Sequence, residues 1–157
     1  MRKSIMSAAP KATPSPDEAW LNIEQLASVE ITSEDPAHPI ESAIVPGHDA
    51  GWLAGQPGEQ TIRFIFDQPH RISRIRLLFE ESEVQRTQEF VLRWSAGGGS
   101  AFREIVRQQW NFSPPDTIRE LEDYRVELSG VTALELTIVP DKNGGPARAS
   151  LTQLRIA

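Results

Sequence analysis

Residues 60–95 read QTIRFIFDQPHRISRIRLLFEESEVQRTQEFVLRWS. Ile62, Phe64 and Phe66 share one parity, with Thr61, Arg63 and Asp67 among the residues on the other. Ile75, Leu77 and Phe79 alternate with Arg74 and Arg76, and Phe90, Leu92 and Trp94 alternate with Glu89, Val91 and Arg93. Successive side chains of a strand point to opposite faces, so this period of two predicts three strands, each with one buried and one wetted face. A helix would need apolar residues three and four apart, and the stretch does not supply them. Pro69-His70 marks a turn between the first two strands, and Glu80–Gln85 links the second to the third.

The flanks extend the pattern. Downstream, Ala96-Gly97-Gly98-Gly99-Ser100 turns into a fourth strand, Phe102–Phe112, and Ser113-Pro114-Pro115-Asp116 breaks the chain. Strands follow over Thr117–Leu128 and Val131–Val139, separated by a turn at Ser129-Gly130. After the polar loop Pro140–Pro146, a last strand carries Leu151, Leu154 and Ile156. Upstream, Ala27–Ser33 reads as a strand, then a long connection rich in Pro and Gly, anchored by a helical turn at Ile40–Ile44. Long connections of this kind are often functional. Ser15-Pro16-Asp17-Glu18 has the form of a capping box and predicts a short helix to Leu26. Residues 1–14 carry no periodicity and are expected to be a disordered tail. Short strands parted by Gly/Pro turns, without alternating helices, predict an all-β fold. The expectation is one domain, residues 15–157, built as a β-sandwich or barrel behind a short N-terminal helix.

The totals exclude several classes. A chain of 157 residues suits a single core. A net charge of −6 argues against a nucleic-acid partner and against an anionic membrane surface. No stretch approaches the roughly 20 apolar residues of a membrane span. The start MRKSIMSAAPKATPSP lacks the apolar run of a signal peptide, so a cytoplasmic location is expected. There is no cysteine, hence no disulfide, thiolate metal site or cysteine nucleophile. The histidines, His38, His48 and His70, sit beside turn residues and outside any catalytic motif. Neighbouring carboxylates such as Glu122 and Asp123 face opposite sides of a strand. The chain is therefore expected not to be an enzyme and to need no cofactor.

The order of landmarks resembles the coagulation-factor type C, or discoidin, domain, one of the galactose-binding-like jelly rolls. The Ala27-Ser28-Val29 strand precedes a loop ending Gly51-Trp52. Gly58-x-Gln60-x-Ile62 then leads through Pro69-x-x-Ile72-x-x-Ile75-x-Leu77, Phe90-x-Leu92-x-x-Ser95 meets a glycine turn, and Ala149-x-Leu151-x-x-Leu154 closes the chain. The match runs from about Ala27 to Ile156, with no single motif specific by itself. It implies an antiparallel jelly-roll β-sandwich of about eight strands with a short N-terminal helix ahead of it, and a non-catalytic module that binds carbohydrate through loops at one end of the sandwich. The other reading is a protein-interaction module or accessory subunit, self-association into a homo-oligomer included.

The resemblance places Pro46–Trp52 on a loop that in the family often wraps a structural calcium. Pro46-Gly47 stands where the family has Asp-Gly, Gln153 replaces the usual late glutamate, and Asp49 is the one well-placed carboxylate. Sugar sites pair aromatic faces with planar polar groups. The candidate ligand-binding residues are His48, Asp49, Trp52, Glu81, Arg86 and Asn143. The arginine that galactose-binding relatives carry just after the second strand is missing; Phe79-Glu80-Glu81 stands there, and Arg86 is the nearest. Arg103, Arg107, Arg119 and Arg125, interleaved with glutamates and Asp123, are expected to form cross-strand ion pairs.

Overall fold

The computed structural model describes residues 20–48, 50–97 and 101–157. In chain order these form α1 (Ile23–Leu26), β1 (Ala27–Ile31), α2 (Glu41–Ile44), β2 (Trp52–Leu53), β3 (Gln60–Glu80), β4 (Arg86–Ala96), β5 (Arg103–Phe112), β6 (Arg119–Val139), β7 (Ser150–Leu151) and β8 (Gln153–Ile156). All strand pairing is antiparallel, in the order β1-β3-β6-β4-β5 with β8 also on β3, and β2 paired with β7. The fold is a jelly-roll sandwich.

Two expected turns are bends. β3 runs 21 residues straight through Pro69-His70, and β6 runs 21 residues through Ser129-Gly130. Ile65 pairs with Ala133 but His70 with Val131, so four residues of β3 stand opposite one of β6. Pro69 has no N–H to give a ladder, which favours a bulge at that point. Gly130, at φ 67°, takes the left-handed turn that β6 needs beside it. The paired strands fold over together and pass from one layer to the other, as strands do at a sandwich corner. One layer holds β1, the first half of β3, the second half of β6, β4 and β5. The other holds the remaining halves and β8. Phe79 and Phe90 stack across them with centroids 5.2 Å apart.

The apolar parity of each strand fills the space between the layers. Ile62, Phe64, Ile75, Leu77, Phe79, Phe90, Leu92, Leu134, Leu136 and Ile138 are all fully buried. α2 buries Ile40 and Ile44, as expected. α1 is shorter than the sequence suggests: Trp20–Asn22 lie outside it, and the Asn22 side chain caps it by accepting from Gln25 N. The capping box at Ser15 and the tail at 1–14 lie outside the described residues. The last strand is two short ones with different partners, β7 on β2 and β8 on β3. Among the described residues no helix is long and apolar enough to cross a membrane.

On the outer face of the first layer, the register lines up Glu30, Arg63, Glu135 and Arg93 across four strands. Arg63 donates to Glu135 at 2.7 Å and to Glu30 at 3.2 Å, and Arg93 approaches Glu135 at 3.7 Å. Arg107 pairs with Glu104 and Glu89, and Arg119 with Glu80. These ladders keep a broad sheet face charged and wet.

Candidate functional site

The pairs Glu80–Arg119, Arg86–Phe112 and Gln60–Ile138 all lie at one end of the sandwich. The connections 32–59, 81–85, 113–118 and 140–149 therefore gather there. Between them opens a cleft of ≈ 530 Å³ lined by Leu53, Glu80, Glu81, Ser82, Glu83, Ile118, Arg148 and Ser150.

The cleft wall 81–85 is tied down by Glu81. Its Oε1 accepts from Arg86 Nε at 2.7 Å, and its Oε2 accepts from the backbone N–H groups of Glu83 and Val84 at 3.1 and 3.2 Å. Burial pushes the Glu81 carboxyl up. The Arg86 bond and the two N–H groups outweigh that and hold it below its ordinary value. Arg86 is itself buried, with its guanidinium 4.7 Å from the centre of the Phe112 ring. Its Nη1 also donates to Pro140 O at 2.8 Å, which fastens the 140–149 loop to the same point.

Across the cleft, Arg148 Nη1 donates to Ala54 O at 3.2 Å and to Asp35 Oδ2 at 3.3 Å. The Ala37 N–H, at 2.9 Å, is the main cause holding the Asp35 carboxyl below its usual value, with Arg148 adding to it. The cleft thus presents exposed carboxylates at Glu80 and Glu83, the Arg148 cation, the Ser82 and Ser150 hydroxyls, and apolar surface from Leu53 and Ile118.

Among the described residues singled out as ligand candidates in the sequence, only Glu81 lines this cleft. Arg86 lies behind it and is 3% exposed, so it supports the wall and cannot reach a ligand. Trp52 is 1% exposed, with its Nε1 donating to Ser33 O at 3.2 Å; it is core and offers no platform for a sugar ring. Asn143 is exposed on the 140–149 loop, where its N–H donates to Asp141 Oδ1. His48 is exposed between α2 and β2, apart from the cleft lining. Asp49 lies outside the described residues. The described part of the Pro46–Trp52 loop contributes no carboxylate to a calcium ion, and Gln153, in β8, is neutral. Among the described residues no three His, Asp or Glu side chains gather as a metal site.

Leu53, Ile118, Arg148 and Ser150 were not singled out from the sequence. Ile118 carried a signal: it follows the Pro114-Pro115 break and sits at a strand mouth, apolar yet 40% exposed. The burial of Arg86 was also legible, since extending the parity of Leu92 and Phe90 backwards puts Gln88 and Arg86 inside.

No family model matches the sequence, and no curated protein matches it. Solved structures do share its fold. A CBM32 from a family 31 glycoside hydrolase of Clostridium perfringens superposes with TM-score 0.66 at 16% identity, over 92% of this chain and 98% of that one. CpGH89CBM32-5 of Clostridium perfringens, solved with GalNAc-beta-1,3-galactose, gives 0.63 at 18% identity, over 88% and 99%. The CBM32 of AlyQ, solved with 4,5-unsaturated mannuronic acid, gives 0.61 at 15% identity, over 84% and 95%. At these identities the likeness is one of fold, and the chain has the galactose-binding-like jelly-roll architecture of CBM32 modules.

Proposed function

We propose that this protein is a non-catalytic carbohydrate-binding module of discoidin type, whose ligand lies in the cleft between the 81–85, 113–118 and 140–149 segments. The observation that carries this reading is the cleft itself. It is a concave, mostly polar recess at the loop end of a sandwich similar to sugar-binding modules. Carboxylates, a guanidinium and hydroxyls supply hydrogen bonds to sugar hydroxyls, and Ile118 and Leu53 supply apolar contact in place of an aromatic face. A glycan array followed by calorimetry tests it. Binding of at least one glycan, lost in Arg148→Ala, is expected; no binding to any glycan at millimolar concentration removes the reading.

A protein partner is the second reading. Val84, Ile118 and Leu121 are 50%, 40% and 49% exposed on the 81–85 and 113–121 segments. A stable partner that covers them, with no glycan bound, would favour this reading instead.

A further inference from the structure

The hydrogen bonds that begin at the cleft wall continue into the core. Arg86 Nη1 donates to Gln88 Oε1 at 3.1 Å, and Gln88 Nε2 donates to Glu120 Oε1 at 3.1 Å. Glu120 is 0% exposed, and its Oε2 is buried with no donor. Glu122 projects from the same face of β6, two residues on.

Among the described residues no counter-charge is spare for Glu120. Phe79 stands opposite Glu120 in the β3–β6 ladder, and Trp110 stands opposite Gln88 in the β4–β5 ladder. Tyr124 is next on the same face of β6; burial first, then Glu122, push its hydroxyl above its ordinary value, so it stays neutral. Arg86 is the cation whose field reaches Glu120, and it is already bonded to Glu81. A carboxylate stripped of water with no ion partner of its own costs several kcal/mol, so such a group keeps its proton. Burial and the Glu122 carboxyl push Glu120 up to about 9.

We propose that buried Glu120 keeps its proton in the folded protein, and that this proton, acting through Gln88 and Arg86, holds the cleft wall 81–85 in place. Gln88 and Glu120 are then positioning residues for the cleft. Neutral Glu120 leaves Arg86 to Glu81, and Glu81 in turn holds the Glu83 and Val84 N–H groups. Loss of the proton to a solvent base leaves Glu81 and Glu120 competing for one guanidinium. Arg86 is drawn toward β6, its bond to Glu81 weakens, and the wall loosens. Only the nature of the ligand rests on the carbohydrate reading; the link between proton and wall stands without it.

NMR on the intact chain between pH 6 and 10 tests this. The side-chain carboxyl carbon of Glu120 is followed together with the backbone amides of Glu83 and Val84. Both are expected to move in one step with a common midpoint near pH 9. Glu120→Gln accepts from Gln88 as the protonated acid does. It is expected to keep the pH 7 amide positions and to abolish the step. Glu120 already ionised at pH 7, amides that stay still while it titrates, or a step that persists in Glu120→Gln would each overturn the proposal. Should the variant not fold, the wild-type titration decides alone: coincident midpoints support the link and separate ones sink it. A failure to bind glycans would leave these outcomes unchanged.

Discussion

Arg86 Nε donates to Glu81 Oε1 at 2.7 Å from a side chain only 1% exposed, so the guanidinium that anchors the cleft is sealed beneath it. A buried ion pair adds little net stability while intact, but breaking it strands a charge. Arg86→Ala also strips Gln88 Oε1 and Pro140 O of a donor. The expected loss is about 3–5 kcal/mol, read from urea unfolding. Arg86→Lys keeps the charge without the planar fork and should recover part of that. A loss below about 1 kcal/mol for Arg86→Ala would place the pair among surface ion pairs.

Glu120 and Glu81 give stability opposite pH dependences. The folded pKa of Glu120 is raised from 4.5 to about 9, so the folded state holds a proton that the unfolded chain releases. Its contribution is complete below about pH 4.5 and is lost as the pH rises through about 9. The Glu81 pKa is lowered, so its contribution is present above about 4.5 and lost as the pH falls through the depressed value. Urea midpoints should fall on both sides of a mildly acidic maximum, and Glu120→Gln should flatten only the alkaline limb. A wild-type midpoint that stays constant from pH 5 to 10 would contradict the buried-acid assignment.

Gly51 sits at φ 73°, and a Cβ there would meet Leu151 O at 2.8 Å and Thr152 Cα at 2.9 Å. Both obstacles are backbone, so neither can swing aside. Gly51→Ala combines a left-handed non-glycine residue with this clash. It should cost at least about 2 kcal/mol, visible as a lowered melting temperature. Gly58→Ala serves as the control: its φ is 93°, but no atom lies within 4 Å of the added Cβ. Equal losses at the two sites would show that the β2–β7 approach is not tight.

Trp52 and Arg148 separate core from site. Trp52→Phe keeps a ring in the core and removes the N–H to Ser33 O, a loss of about 1 kcal/mol in stability. Ligand affinity should stay unchanged. Arg148→Ala leaves the core alone and removes the cleft's cation, with affinity expected to fall about tenfold or more. Calorimetry with any glycan found on the array checks both, and the reverse pattern would put the ligand beside Trp52.

Much of the architecture could be read before any coordinates. The parity of Ile62, Phe64, Leu77, Phe90, Leu134 and Ile138 chose their faces, and all are buried. The bends at Pro69 and Gly130 were read as turns because proline and glycine interrupt a strand pattern in either case. Only the register of β3 against β6 distinguishes a hairpin from a strand that changes layer. The site was less legible. Glu81, singled out as a ligand candidate, lines the cleft, but Arg148 and Ser150 come from a distant segment and reach it by the β2–β7 pairing.

By itself the sequence determined the all-β class, the strands and their inward faces. A period of two is a local property, and burial of the apolar parity enforces it wherever the strand sits. Tertiary structure alone decided which loops share an end, that Trp52 is inside, and that Glu120 meets Gln88 and, through it, Arg86. These facts depend on pairings between segments far apart in the chain, with interaction energies set by dielectric and counter-charge at the meeting point. No local pattern encodes them.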